Sequence, residues 1–124
     1  LGILDFQDAL WGPNAYDLAS LAQDARITIP PEIEEAAVSA YFSRRMQMAG
    51  FDAQRTAREF AVMALQRNTK ILGIFVRLNL RDGKPAYLKH LPRIESYVLR
   101  TLPNPGLERL AAFYADMGLG AVTI

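Results

Sequence analysis

The chain has 124 residues, 51% of them apolar, and sets 14 Lys and Arg against 13 Asp and Glu for a formal net charge of +1. That is about one domain with enough apolar residues for a core, and the balanced charge leaves no basic stripe for nucleic acid or an anionic membrane. The absence of cysteine excludes a disulfide framework and a thiolate metal site, and no targeting signal or membrane-length apolar run stands out, so a cytoplasmic protein is expected.

The opening run Gly2 to Phe6 is short, apolar and partly β-branched, which predicts a strand carrying Asp5 near its end. Gly12-Pro13 punctuates the chain. Asn14 is a candidate N-cap, and Asp17 falls in the first turn of the helix that follows, where a negative charge suits the positive helix end. This first helix is expected to reach about Ala25, with Ala15, Leu18, Ala19 and Ala22 as a small-residue packing face. Pro30-Pro31 breaks the chain. Glu32, Glu34 and Glu35 open a second helix and Arg44 and Arg45 close it, the polarity that the helix dipole favours. Its inward face is expected to hold Ile33, Ala37, Ala40, Tyr41 and Met48.

Asp52 caps a long third helix from about Ala53 to Leu80, with Phe60, Ala64, Ile71, Ile74, Phe75 and Leu78 at helical period. Asp82-Gly83 ends it. Pro85 and Pro92 predict a short helical turn over 86–89 and a helix from Pro92 to about Leu102. A last helix is expected from Asn104-Pro105, with Leu107, Leu110, Ala111, Tyr114 and Met117 inward and Gly118 as its stop. A single strand cannot satisfy its own hydrogen bonds, so its partners are expected upstream of Leu1. The first residue is Leu and not Met, which fits a fragment, a processed product or a front end not included in the sequence. The lone histidine, His90, reads as a surface or capping residue, and Trp11 as a packing residue at the turn.

Two places carry polar residues that chemistry could use. Magnesium takes oxygen ligands and often only one or two protein carboxylates beside substrate phosphates, so Asp5 at a strand end can serve; the plainer reading is a turn cap. Gln66, Arg67 and Asn68 form a polar stretch within the apolar third helix, read as a polar turn, and Arg67 lies on the apolar stripe. An arginine there needs a partner. A hydroxyl-bearing or carboxylate-bearing ligand is one candidate partner, and a structural pair with an acid such as Asp24 is the other.

The segment Asp5-Phe6-Gln7-Asp8-Ala9, then Gly12, then Ala15-Tyr16-Asp17-Leu18-Ala19, resembles the Asp-Phe-Gly-Asp-Ala, Gly-Asp-Pro-Ala-Tyr-Asp-Leu-Ala segment of the aminoglycoside phosphotransferase family, relatives of the protein kinases. The run Leu65 to Leu78, with Arg81-Asp-Gly-Lys and Tyr87-Leu, is similar to the subgroup of N-acetylmuramate/N-acetylglucosamine anomeric kinases, sugar kinases of cell-wall recycling. Gln7 stands where the motif has glycine, and Pro13 comes one place early.

The resemblance implies a mainly α segment, the helical C-terminal lobe, with one leading β-strand, of a protein-kinase-like α+β fold. Residues 1–12 would be the metal-binding strand and turn, and 13–124 a helical subdomain. It implies ATP and Mg2+ as cofactors, Asp5 as the magnesium ligand, and Asp17 as a brace for a catalytic loop. An amino sugar would be the acceptor, with Gln66, Arg67 and Asn68 as candidate contacts. It also implies that the N-terminal lobe, the catalytic base and the nucleotide cover lie elsewhere in the same protein, so that the segment alone would be inactive. The rival expectation is a non-catalytic helical interaction module whose early Asp residues are turn caps.

Overall fold

The computed structural model describes residues 10–119. The expected leading strand and Asp5 lie outside the described residues. Those described are mainly helical: α1 (Ala15–Ala22), α2 (Pro31–Arg45), α3 (Ala53–Asp82), a 3-10 turn (Pro85–His90), α4 (Leu91–Thr101) and α5 (Glu108–Asp116).

The pillar is α3, 30 residues and so about 45 Å long. Asp52 caps its start by accepting the Arg55 N–H at 2.9 Å, satisfying one of the donors a helix start leaves orphaned. Gly83, at φ +62°, closes it in the left-handed region, and Lys84 N–H returns to Leu78 O at 3.1 Å. That is the turn geometry glycine adopts without a Cβ clash. Helix α4 packs antiparallel to α3. Ala61 and Leu65 meet Val98, Leu102 and Leu107 at one end, and Ile71 and Phe75 meet Ile94 and Tyr97 at the other.

Helix α1 presents Ala15, Leu18, Ala19 and Ala22, all buried, and packs against α3 and α2. Small side chains at the i, i+3, i+4, i+7 spacing let the two backbones approach closely. The helix stops at Ala22, short of the expected Ala25, because Asp24 offers a competing local structure: its Oδ1 accepts the N–H groups of Arg26 at 2.6 Å and Ile27 at 2.8 Å. Asp side chains favour such turns over continued helix. Asn14 occupies the cap position of α1 but makes no side-chain capping bond.

Several expected inward faces are corrected. Helix α2 buries no residue completely; Ile33 and Met48 are more than half exposed and Ala40 is also exposed, while Phe42 is half-buried. The stretch 66–70 is uninterrupted helix and not a turn. Helix α5 begins at Glu108 because Gly106 turns left-handed at φ +88° just before it. Leu107 is buried, Ala111 and Tyr114 are half-buried, and Leu110 and Met117 point to solvent. Trp11 is fully exposed and does not pack. Among the described residues no helix is long and apolar enough to cross a membrane.

Candidate functional site

Two polar regions flank α1, one at each end. At its start, Asp17 sits in the first turn on the exposed side, opposite the alanine face that meets the core. Beside it Tyr16 lies under Lys70 of α3: Nζ is 3.4 Å from the phenol oxygen and 5.8 Å from the ring centre. An ammonium over a tyrosine ring is held by the ring's negative face. Gln66, one helical turn before Lys70, is exposed as well. Tyr16 and Lys70 thus meet beside the start of α1, and Asp17 and Gln66 are exposed polar side chains of the same two helices.

At the other end of α1 the polar groups face inward. Arg67 Nη1 donates to the Gln23 carbonyl at 2.9 Å, and Asn68 Nδ2 donates to the Gln23 side-chain oxygen at 2.7 Å. Gln23 in turn donates to Glu34 Oε1 at 2.9 Å, and Arg100 donates to Glu34 Oε2 at 2.8 Å. Asn68 is completely buried, and Gln23 and Arg67 nearly so. The cause is local to α1: its last carbonyls have no partner within the helix, and a guanidinium at that negative end satisfies one of them and opposes the dipole.

This geometry separates the three expected acceptor contacts. Arg67 and Asn68 turn into the interior, where they bond Gln23 and each other, while Gln66 is exposed. They do not converge on one pocket. The structural partner anticipated for Arg67 is nearby: burial pushes the Asp24 carboxyl up, but backbone N–H bonds from Arg26 and Ile27 and the charges of Arg67 and Arg26 bring it below its ordinary value. Gln23, Glu34 and Arg100 were not singled out from sequence. Nothing local marks them, since each gains its role from a segment far away in the chain.

A groove of about 470 Å3 runs beside this network, with Val38, Phe42 and Phe60 as its apolar wall and Glu34, Ser39 and Arg100 at its polar rim. Below it, Tyr97 is buried with its hydroxyl unpartnered among the described residues. Burial, and then the Glu34 charge, push that phenol above its ordinary pKa. His90 is half-buried against Phe75, ring centres 6.0 Å apart. Partial burial and the charges of Arg93, Lys89 and Arg26, opposed by that of Asp24, hold its imidazole below the ordinary value. Among the described residues no group of three or more His, Cys, Asp or Glu is placed to hold a metal. Magnesium does not require one, because a nucleotide's phosphates and water complete its shell around one or two carboxylates.

Residues 1–60 match the phosphotransferase enzyme family (APH). The chain is 37% identical over 127 aligned residues to an N-acetylmuramate/N-acetylglucosamine kinase of Pseudomonas putida, an alignment covering 97% of this chain and 37% of the relative. It is 42% identical over 118 residues to the protein of the same name in Neisseria meningitidis, covering 92% of this chain and 34% of the relative. A third such relative, from Caulobacter vibrioides, is 37% identical over 92% of this chain and 31% of its own length. The chain thus spans about a third of the length of these curated relatives. No solved structure matches it significantly. The motif at Asp5 to Ala19 and the similarity along nearly the whole chain agree: residues 1–60 are similar to the phosphotransferase enzyme family, and 92 to 97% of the chain to kinases of one name.

Proposed function

We propose that the full-length protein is a kinase that transfers the γ-phosphoryl group of ATP to a hydroxyl of an amino sugar of the N-acetylmuramate or N-acetylglucosamine type, at its anomeric position. The observation that carries this reading is the similarity over 92 to 97% of the chain to relatives bearing that name. Phosphoryl transfer rests mainly on positioning and on neutralising phosphate charge. Asp5 would hold magnesium, and the ion would screen the phosphates when bound. Asp17, exposed at the start of α1, is available to accept backbone N–H groups from a catalytic loop and keep that loop rigid. The nucleotide cover and the carboxylate that orients the acceptor hydroxyl belong, on this reading, to the rest of the full-length protein. A cytoplasmic setting supplies the ATP.

For the acceptor, Gln66 is the one of the three expected contacts that remains accessible; Arg67 and Asn68 support the site from behind, as part of the scaffold that fixes α1. The test is a phosphorylation assay of the full-length protein with ATP, magnesium and a panel of amino sugars. The expected result is a sugar 1-phosphate, and Asp5→Asn lowers turnover by orders of magnitude without moving the unfolding midpoint. A folded full-length protein that phosphorylates no amino sugar overturns the proposal.

A further inference from the structure

The connection between α1 and α2, together with the 3-10 turn and the first turn of α4, gathers Arg26, Lys89 and Arg93, while Asp24 is the carboxylate whose charge acts on Arg26 and His90. Arg93 is clamped in place there. Its Nε donates to Thr28 Oγ1 at 2.9 Å and its Nη1 to the Ala25 carbonyl at 3.3 Å, with His90 Nδ1 3.1 Å from the same Nη1. Lys89 and Arg26, both exposed, stand close enough for their charges to act on the His90 ring.

Three other arginines of this chain take carboxylates: Arg55 holds Glu59 at 2.8 Å, Arg81 holds Asp82 at 2.6 Å and Arg100 holds Glu34 at 2.8 Å. Arg26, Lys89 and Arg93 form no such ion pair among the described residues. Asp24 directs Oδ1 at the backbone N–H groups of Arg26 and Ile27, and forms no salt bridge with these side chains. Three cations against the one carboxylate of Asp24 leave an excess of positive charge whose members repel one another, and a bound anion offsets that excess.

We propose that Arg26, Lys89, His90 and Arg93 form a binding site for a small anion, the carboxylate or phosphate monoester group of a metabolite. Arg93 supplies a guanidinium whose orientation is already fixed by Thr28 and Ala25, so little side-chain freedom is lost on binding. His90 accepts from Arg93 through Nδ1, which leaves the hydrogen of the neutral ring on Nε2 as a further donor. Arg26 and Lys89 add flexible charge at the rim. One source of the anion is the lactyl carboxylate of an acidic amino sugar, which rests on the kinase reading; the other is a phosphate group, which does not.

His90 is the one histidine of this 124-residue chain and touches the cluster directly, so its ring resonances report occupancy. In the full-length protein, with the His90 signals assigned by their loss in His90→Gln, three probes are titrated at constant ionic strength without ATP: inorganic phosphate, N-acetylmuramate and N-acetylglucosamine. The expected result is a saturable shift of the His90 signals with N-acetylmuramate or phosphate and none with the uncharged sugar. The double variant Arg26→Gln/Lys89→Gln weakens that binding by about tenfold, as the loss of charged partners predicts. A response to N-acetylmuramate identifies a sugar acid, and a response to phosphate alone identifies a phosphate monoester. The site is overturned if no anion moves His90 beyond what chloride does, or if the double variant binds as tightly as the parent. Because the titration involves no turnover, a protein that binds the anion but phosphorylates no sugar leaves this site standing while the kinase reading fails.

Discussion

Asn68 of α3 donates its side-chain amide to the side-chain oxygen of Gln23, the residue that ends α1, at 2.7 Å. Through Gln23 the contact continues to Glu34 on α2 and from there to Arg100 on α4. Four helices are thereby joined by polar bonds at one point. That explains how α2, which buries no residue completely, keeps its place: directional hydrogen bonds to a buried amide position it where apolar contact does not.

Replacing Asn68 with Leu keeps a similar volume but removes both the donor to Gln23 and the acceptor for Arg67. The Gln23 side-chain oxygen then lies buried without its donor, a loss of about 1–3 kcal/mol, while Arg67 Nη1 keeps the Gln23 carbonyl. The expected outcome in urea unfolding is a loss in that range, about 1–3 kcal/mol. Arg100→Ala is expected to cost under about 1 kcal/mol, because its ion pair is half in solvent and Glu34 keeps its bond to Gln23. Equal losses in the two variants would contradict the placement of the network.

Arg67→Met separates the structural and ligand-binding readings of that side chain. The Gln23 carbonyl loses its donor and the end of α1 loses a cation, so stability should fall by about 1–3 kcal/mol. In the full-length protein the KM for sugar should stay within about twofold, since uniform substrate binding is untouched. A KM raised by about tenfold at full stability would return Arg67 to the acceptor site.

Both ends of α3 depend on single residues. Asp52→Ala removes the bond to Arg55 N–H and is expected to cost about 1 kcal/mol. Gly83→Ala meets no atom within 4 Å of the added Cβ. Its cost is therefore purely the left-handed backbone at φ +62°, about 1 kcal/mol. Thermal unfolding of the two single variants and their double should show additive losses, because the sites stand at opposite ends of a 30-residue helix. Clear non-additivity would count against independent caps.

His90 gives the fold a pH dependence with a definite sign. Its pKa is lower in the folded chain than the ordinary 6.5, so as pH falls the unfolded chain takes up the proton first. Its stabilising contribution is complete above the ordinary value and is lost as pH drops through the folded one. Urea midpoints measured between about pH 7.5 and pH 5 should fall for the parent and fall less for His90→Gln. Parallel curves would mean that the imidazole is not held neutral by its surroundings.

The helix ends were legible in the sequence because they are set by short-range chemistry. Asp52, Gly83, Pro31 and Pro92 each act on backbone within a few residues of themselves, and the structure places helix starts or stops beside all four. Asp24 was missed as a stop, though its competing turn to Arg26 and Ile27 is local too. The motif from Asp5 to Ala19 pointed to the family, since it needs only the order of residues along the chain. Periodicity also placed the alanine face of α1 and the Ile71, Phe75 stripe of α3 correctly.

Tertiary structure decided which polar residues face inward. Helical spacing puts Gln66, Arg67 and Asn68 side by side, but it cannot say that the latter two meet the end of α1 while the first meets solvent. Their partner Gln23 lies more than forty residues away in the chain. The value of a buried hydrogen bond depends on a group brought up by packing, and no local pattern encodes that group. The same holds for the cations at Arg26, Lys89 and Arg93: three separate positions in the sequence become one charged site only when the connection after α1 is laid against the start of α4.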